Sequence, residues 1–400
     1  MASVENALPQ VSAAAGEPAR GVRDLALLRL VTGLILILVA LAGLLGADWD
    51  IQWHTVVGRD RTFTPPHDLI LLSIGLAGIV ALVGILIETR WSRRYPALRV
   101  YGTDFLGVLH SSLGLYLTGF GAVCSAVAFP LDTYWHSLYG IDVSLWAPFH
   151  TMIYMGSVLG TFGTIYLLLG AAHLAEMQRA RRVARCSYAS VVVSLGILLS
   201  KFSTFLTPAL KEYQVRLGFL TLNFFPLLLA VSAVFVCVLA VRLIPWTGAA
   251  SMVVAVFLLI FLLVSAFVPP AMTWLVQAEH QSYLARASRI GSTIPPLLGQ
   301  SPVLLLLALS LDGVAWLGRR GTWDPARLHI RGLVATMVSM FLVAGLILVP
   351  LDVIARTGRG GGIGRLVLGF VLALLLTIPG SLLGNWAAVT ISKTIQSLRR

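Results

Sequence analysis

Long apolar runs alternate with short polar segments between residues 26 and 385 of the chain. Each run is close to the ~20 residues that an α-helix needs to cross the hydrocarbon core of a bilayer. The pattern predicts about ten transmembrane helices, at 26–46, 68–87, 103–124, 150–172, 187–207, 217–241, 246–268, 296–316, 332–351 and 365–385. The predicted fold class is therefore all-α, a polytopic integral membrane helical bundle whose surroundings are the lipid bilayer.

Lysine and arginine are unevenly distributed between alternate connecting segments of these predicted helices. In membrane proteins the cytoplasmic segments carry the excess of these residues. With the N-terminus inside, the inner segments hold nineteen of the 29 residues and the outer loops hold nine, while Lys201 falls within a predicted helix. We therefore expect a multi-pass protein of the cell membrane with both termini inside (N-in/C-in). The polar residues 1–25 are expected to form a disordered cytoplasmic tail.

Composition and charge agree with a membrane protein and argue against other classes. The chain is 58% hydrophobic and 12% charged, whereas about a quarter of the residues in a soluble domain are charged. The net charge of +12 comes from short basic blocks between apolar runs, so no nucleic-acid partner is expected. The three cysteines, Cys124, Cys186 and Cys237, are far apart and indicate neither disulfides nor a thiolate metal site. No nucleotide-binding or hydrolase motif is present.

The polar segment between the first two predicted helices recurs between the third and the fourth. Residues 50–67 read D-I-Q-W-H-T-V-V-G-R-D-R-T-F-T-P-P-H, and residues 132–150 read D-T-Y-W-H-S-L-Y-G-I-D-V-S-L-W-A-P-F-H. With Asp50 aligned to Asp132, five further pairs match, namely Trp53 with Trp135, His54 with His136, Gly58 with Gly140, Asp60 with Asp142 and Pro66 with Pro148. The final histidines, His67 and His150, differ in register by one residue.

The repeat divides the chain into two predicted regions. Residues 26–186 are predicted to form a metal-binding four-helix membrane unit made of two tandem helix–motif–helix repeats. Residues 187–400 are predicted to form a six-helix membrane region, and their sequence indicates no role. Both motifs are expected at the outer, periplasmic or extracellular, membrane face.

Each motif carries the ligands of a metal site. An Asp and a His four residues apart share one face of an α-helix, and a helical hairpin would bring the second His back to that pair. Two imidazoles and one carboxylate suit copper, zinc or iron, with coordination positions left open for exogenous ligands. The predicted metal ligands are Asp50, His54 and His67 in one site and Asp132, His136 and His150 in the other.

Neighbouring residues suit the same hairpins. Two glycines permit a tight bend, two prolines suit the first turn of a helix, and two aspartates can orient a ligand His, these pairs being Gly58 and Gly140, Pro66 and Pro148, and Asp60 and Asp142. Trp53 and Trp135 are expected at the bilayer interface. The alternative is a pair of hydrogen-bonded caps at helix ends, which explains the Asp and Pro residues better than it explains two His in each motif.

Four other polar positions have more ordinary interpretations. His110 falls in the third predicted helix, where packing or a hydrogen bond is expected rather than ligation. Glu279 and His280 fall in a predicted outer loop, 269–295, where solvation is expected and a contribution to the sites is the alternative. Lys201 should face protein or water, and its role is unassigned.

The first motif resembles a known signature. The stretch W-H-T-V-V-G-R-D-R-T-F-T-P-P-H is similar to one in a membrane subunit of the copper-containing membrane monooxygenases, the particulate methane and ammonia monooxygenases. That subunit has a metal site of Asp, His and His at the spacing D-x3-H-x12-H, which Asp50, His54 and His67 match. The resemblance covers about residues 26–175.

A second site of the same family has Asn, His and His at the spacing N-x3-H-x13-H. His136 and His150 match both histidines, and W-A-P-F-H resembles the A-P-L-H ending of the family. Asp132 stands in place of the Asn, so this site carries one more negative charge.

The resemblance implies copper as the cofactor, with zinc or iron as alternatives, and oxygen-dependent oxidation of a small apolar substrate or ammonia. It also implies partner membrane or periplasmic subunits, since the family works with two of them. The alternative is a membrane copper or zinc handling or transport protein without oxidase activity. A third hypothesis is a structural membrane protein that has lost the chemistry, and the presence of both ligand sets argues against it.

Overall fold

The computed structural model describes residues 9–58, 63–140, 145–206, 214–217, 220–284, 297–319 and 363–397. Nearly all of these residues are helical. The helices are α1 (Pro9–Val56), α2 (Pro65–Arg94), α3 (Leu113–Tyr139), α4 (Pro148–Met177), α5 (Arg181–Leu206), α6 (Phe225–Leu243), α7 (Ala249–Ala278), α8 (Leu297–Arg319) and α9 (Ile363–Ser397), with a short 3₁₀ helix at Pro96–Tyr101.

Among the described residues, eight helical segments are long and apolar enough to cross a bilayer. They are Gly21–Val56, Pro65–Arg94, Leu113–Tyr139, Pro148–Met177, Arg181–Leu206, Phe225–Leu243, Ala249–Ala278 and Leu375–Gln396. The prediction of an all-α, multi-pass membrane protein is thereby confirmed. The predicted helix at 296–316 corresponds to α8, which is not among the eight, and the one at 332–351 lies outside the described residues. The N-in/C-in orientation stays a prediction.

Two β-hairpins shorten the predicted helices that they precede. Strands β1 (Thr103–Phe105) and β2 (Leu109–Ser111) pair before α3, and strands β3 (Gln214–Leu217) and β4 (Leu220–Asn223) pair before α6. The predicted starts at 103 and 217 are therefore wrong by about ten and eight residues. Apolar strand residues next to a helix extend an apolar run without extending the helix, and hydropathy alone cannot separate the two.

Helices α1 to α4 form an antiparallel bundle in which α1 packs on α2 and α4, and α3 packs on α2 and α4. The α3–α4 contact is the closest because small residues face each other there. A side chain at Gly121 would meet the backbone of Gly156 and Gly160. The Ser125 hydroxyl also donates a hydrogen bond across the interface to the carbonyl of Ile153, at 2.9 Å. This approach sets the distance between the residues that α3 and α4 carry at their ends.

The bundle has two chemically different ends. The motif end is the one where α1 leads to α2 and α3 leads to α4. At the opposite end, buried Arg29 of α1 forms a two-point ion pair with buried Glu88 of α2, with nitrogen–oxygen distances of 2.8 and 2.9 Å. Glu88 also accepts the backbone N–H of Ser112 at 2.8 Å, and Arg29 donates to the carbonyl of Tyr101 at 2.8 Å. These bonds tie the hairpin before α3 to the first two helices.

Two further boundaries differ in place from the sequence pattern. Helix α1 begins at Pro9, so the described part of the segment predicted as a tail lies within it, and residues 1–8 lie outside the described residues. Helix α7 continues through Pro269 and Pro270 to Ala278, so residues 269–278 are helical and not part of a loop as predicted. Helices α5 and α7 pack on α1, and α9 packs on α6.

Candidate metal centres

The first centre joins the last turns of α1 to the first turn of α2. Asp50 and His54 lie one turn apart on α1, and His67 is the third residue of α2. The Oδ1 atom of Asp50 lies 3.5 Å from Nε2 of His54 and 3.1 Å from Nε2 of His67. The two imidazole rings are 5.8 Å apart between centroids. Two imidazoles therefore converge on one carboxylate oxygen, as the spacing predicts.

Glycine and proline build the turn between these two helices. Gly58 has a φ of +70°, a left-handed conformation that ends helices and favours glycine. Helix α2 then opens with Pro65 and Pro66, preceded by Thr64 in an extended conformation. Proline is tolerated in the first turn because its missing N–H has no helical partner there. His67 is thereby placed in the first turn of the new helix, facing the end of the old one.

The second centre repeats this construction on α3 and α4. The Oδ2 atom of Asp132 lies 3.3 Å from Nε2 of His136 and 3.2 Å from Nε2 of His150. The two rings are 5.6 Å apart between centroids and inclined at 49°, against 42° in the first centre. Gly140 has a φ of +81° and Pro148 opens α4. The one-residue difference in register is therefore absorbed by the connecting segment.

In each centre, one potential ligand atom from each of the three residues lies within 4.8 Å of the other two. Among the described residues, these two are the groups of three or more His, Cys, Asp or Glu that meet this condition. All six predicted ligands are therefore brought together in the predicted sets of three.

His136 carries the clearest sign that its centre suits a cation. Its Nδ1 lies 3.1 Å from the carbonyl oxygen of Gly140, and only an N–H at Nδ1 makes that contact favourable. A neutral imidazole then has its lone pair on Nε2, which faces the Asp132 carboxylate at 3.3 Å. Two lone pairs repel unless a proton or a metal ion lies between them. The backbone contact at Nδ1 is the kind that orients metal-ligating histidines.

The carboxylate of the second centre also retains acceptor capacity. Its second oxygen, Oδ1 of Asp132, is buried and has no hydrogen-bond partner within the described residues. A buried carboxylate oxygen without a partner is costly, and a cation bound between the three side chains would offset that cost. The residues present at both centres therefore fit a divalent ion bound by two imidazoles and one carboxylate.

Helices outside the four-helix unit cover both centres. Trp49 and Trp53 of α1 are buried against α7, and Trp49 meets Phe267 edge-on at 5.7 Å. Trp53 is only 3% exposed, so it does not lie at the bilayer interface as predicted. Beside the second centre, Trp146 stacks on Phe205 of α5 at 5.2 Å and donates from Nε1 to its carbonyl oxygen at 2.9 Å. Sequence spacing gives no sign of these walls, because they come from distant helices.

The two centres are neighbours within the bundle. The ring of His67 meets the ring of Phe129 edge-on at 5.8 Å, and Phe129 precedes Asp132 by one turn of α3. Phe129 also lines an apolar groove of about 710 Å³ between α2 and α3, together with Phe63 and Thr133. The groove therefore reaches from the lipid-facing surface to side chains that contact the first centre or adjoin the second.

Other polar residues are placed away from the two centres. His110 lies in β2 and not in a span, and its Nδ1 contacts Asp104 Oδ1 at 2.9 Å, which confirms a hydrogen bond as its expected role. Glu279 and His280 belong to neither His/Asp group. Asp60 and Asp142, predicted to orient the ligand histidines, lie outside the described residues.

One buried carboxylate near the motif end was not recognised from the sequence. Asp48 lies two residues before Asp50, on another face of α1, and its Oδ1 accepts a hydrogen bond from Thr204 of α5 at 3.2 Å. The only available signal was an Asp inside an apolar run, and such a residue should face protein.

Comparison with protein family models, with curated proteins and with solved structures finds no match to this chain.

Proposed function

We propose that this protein is a membrane metalloprotein that holds two copper ions, one in each His/Asp centre, and supports oxygen-dependent oxidation of a small apolar substrate. The observation that carries the proposal is the convergence of two imidazoles on one carboxylate, built twice with nearly the same distances. The resemblance of the first motif to a membrane subunit of the copper-containing monooxygenases supports the choice of copper and of the reaction class.

The donor set supports copper while leaving zinc and iron as alternatives. Imidazole ligands suit copper, zinc and iron, and three protein ligands leave positions open for oxygen or water. Copper bound in this way would supply one-electron chemistry with oxygen. Asp132 adds a negative charge where the family has Asn, so the second centre should favour the more highly charged ion.

The chain's own residues would contribute orientation and an apolar approach. The carbonyl of Gly140 holds the His136 ring with Nε2 directed at the centre. The groove lined by Phe63, Phe129 and Thr133 offers a route by which a lipid-soluble substrate reaches the neighbourhood of both centres. Aromatic cover from Trp49, Trp53 and Trp146 limits access of water, which favours reaction of an apolar substrate over side reactions.

The metal assignment is tested by counting metal ions in protein purified in detergent or nanodiscs. We expect about two ions in the wild type, one in His54→Ala, one in His136→Ala and none in the double variant. His280→Ala is the matched control, because His280 is exposed and outside both centres. A double variant that retains the wild-type metal content would show that these are not the ligands. Electron paramagnetic resonance of the copper-loaded protein should show nitrogen ligation.

The reaction class is tested separately from metal binding. Oxygen consumption with a small alkane or ammonia, in membranes that contain the partner subunits, should disappear in the double variant. Metal flux into proteoliposomes that is lost in the same variant, without oxidation, would instead favour the metal handling or transport hypothesis. Metal content that is intact in a protein with neither activity would remove both proposals while leaving the sites.

We also propose that the motif end faces the periplasm or the cell exterior, with both termini inside. The arginine distribution supports this orientation. Cys186 is exposed near the start of α5, at the opposite end, and Tyr139 is exposed at the end of α3. A membrane-impermeant maleimide applied to intact cells should label Tyr139→Cys in a Cys186→Ser background and should not label native Cys186. The reverse pattern would invert the orientation.

A further inference from the structure

Lys201 is a buried cationic side chain that the two metal centres do not use. It is 5% exposed and lies in α5, within a membrane-spanning segment. Its Nζ donates to the carbonyl oxygen of Ser157 at 3.0 Å, to the hydroxyl of Ser157 at 2.5 Å and to the hydroxyl of Thr161 at 2.8 Å. Within the described residues, none of its partners is a carboxylate. A buried ammonium without a counter-ion is costly, so the site must compensate in another way.

The surroundings of Lys201 are polar and large enough for water. A cavity of about 70 Å³ adjoins it, walled by helices α1 to α5. A cavity needs roughly 10–15 Å³ for each water molecule and several polar partners. This one therefore has room for several water molecules. Its walls supply six hydroxyl groups, from Ser73, Thr118, Ser125, Ser157, Thr161 and Thr164.

The contacts at Nζ can be satisfied in both protonation states of the amine. An ammonium donates three hydrogen bonds, and three oxygen acceptors are present. When the proton leaves as H⁺, the neutral amine donates two of these bonds and uses its lone pair to accept one. The Ser157 hydroxyl can supply that bond by rotating its own proton toward Nζ. Gain and loss of the proton thus require no rearrangement of the helices.

Ionisable groups on the elements packed against α5 do not contact Nζ. On α1, Asp48 binds Thr204, one turn along α5 from Lys201. On α4, Tyr154 stacks on Phe205. Helix α6 carries Cys237 and Arg242, the latter donating to Ser392 of α9, and α7 carries no ionisable side chain between Ala249 and Ala278. The wall from α2 and α3 adds hydroxyl and apolar groups, from Ser73, Ile74, Ala77, Thr118, Gly121, Ala122 and Ser125.

We infer that Lys201, Ser157 and Thr161 form an intramembrane proton-binding site, in which the ammonium occupies an oxygen-lined cation position and is exchanged with the adjoining water-filled cavity. Ser157 follows His150 by seven residues on the same face of α4. At 1.5 Å of rise per residue, the site lies about 10 Å inward from the second centre. Its ligand is the proton, and the inference does not depend on metal binding.

The chain contains three lysines, Lys201, Lys211 and Lys393, which allows a direct test. The variant Lys211→Arg/Lys393→Arg leaves Lys201 as the only lysine. Labelled with ¹³C and ¹⁵N lysine in metal-free nanodiscs, it gives a single side-chain NMR signal. We expect this signal to pass reversibly from ammonium to amine between about pH 6 and pH 9, a range in which an exposed lysine stays an ammonium.

Two controls make the outcome decisive. The variant Lys201→Arg/Lys211→Arg leaves only Lys393, which is exposed, and its signal should remain that of an ammonium throughout. In the single-lysine protein, Thr161→Val removes one acceptor of the ammonium and should move the Lys201 transition to lower pH, whereas exposed Thr133→Val should leave it unchanged. A Lys201 signal that keeps one protonation state from pH 6 to pH 9, or a transition insensitive to Thr161→Val, would overturn the inference. Neither result bears on the metal content that tests the proposed function.

Discussion

At the scale of single residues, Asp132 is the position where this chain departs in residue type from the pattern that it otherwise resembles. Its Oδ2 meets both histidines and its Oδ1 is buried without a hydrogen-bond partner in the described part of the chain. Charge and acceptor capacity together make Asp132 the residue that most distinguishes the second centre from a site with a neutral amide.

Replacing Asp132 by Asn should weaken metal binding at the second centre alone. The amide keeps the shape of the carboxylate but loses its charge. We expect the Kd of that centre to rise at least about tenfold, equivalent to ~1.4 kcal/mol, when measured by competition with a chelator of known affinity. Asp68→Asn is the control, since Asp68 is exposed beside His67 and outside the cluster. Equal weakening at both centres would contradict independent sites.

Asp104 gives a residue-scale prediction about pH. Hydrogen bonds from His110 and then from Arg99 hold the pKa of its carboxyl below the ordinary value of 3.8. A carboxyl with a lowered folded-state pKa stabilises the fold above its unfolded pKa and loses that contribution as pH falls through the folded pKa. The stability difference between wild type and Asp104→Asn should therefore be present at pH 6 and shrink below about pH 3.8. Thermal unfolding across this range measures it, and a difference that grows in acid would refute it.

At the scale of elements, the spacing between α3 and α4 controls the second centre. A side chain at Gly156 would meet the Ser125 hydroxyl and the Gly121 carbonyl. Helices of this kind approach closely only where small residues face each other. The first centre is joined by the α1–α2 hairpin and does not depend on this contact.

Gly156→Val should accordingly separate α3 from α4 and cost about 1–3 kcal/mol of stability through overpacking. Metal analysis should show that the second centre loses its ion while the first retains its own. Gly75→Ala is the matched control, because nothing lies within 4 Å of a Cβ atom added there. Retention of both ions by a folded Gly156→Val protein would show that the interface does not set the geometry.

The ion pair between Arg29 and Glu88 joins α1, α2 and the following hairpin at the opposite end. Glu88→Gln would leave the Arg29 guanidinium buried without its counter-charge, and breaking such pairs costs about 3–5 kcal/mol. We expect a large drop in Tm for this variant. The double variant Arg29→Met/Glu88→Leu should recover much of the loss, because it removes both charges together. A double variant less stable than Glu88→Gln would argue against this account.

At the scale of the whole molecule, the two centres tie together the ends of four helices, so metal binding is coupled to folding. Each ion that binds only the folded protein adds about 2.7 kcal/mol of stability at a free concentration 100-fold above its Kd. Copper should therefore raise the Tm of the wild type, and a chelator should reverse the rise. The His54→Ala/His136→Ala variant should show neither effect, and a copper response that it retains would point to ligands elsewhere.

The sequence by itself determined the membrane class and both ligand sets. Apolar run length reports the bilayer directly, and an Asp and a His four residues apart must share a helix face. The turn chemistry of Gly58, Gly140 and Pro148 was also legible, because left-handed backbone and helix first turns have local preferences. These features depend on residues close in the chain, which is why spacing was enough.

Only the tertiary structure decided what surrounds those ligands. The burial of Trp53 against α7, the stacking of Trp146 on α5 and the Lys201 contacts with α4 join residues far apart in sequence. Hydropathy also placed the starts of α3 and α6 too early, because paired strands and helices can share an apolar composition. Long-range packing follows from the shapes of whole helices, and no local spacing encodes it.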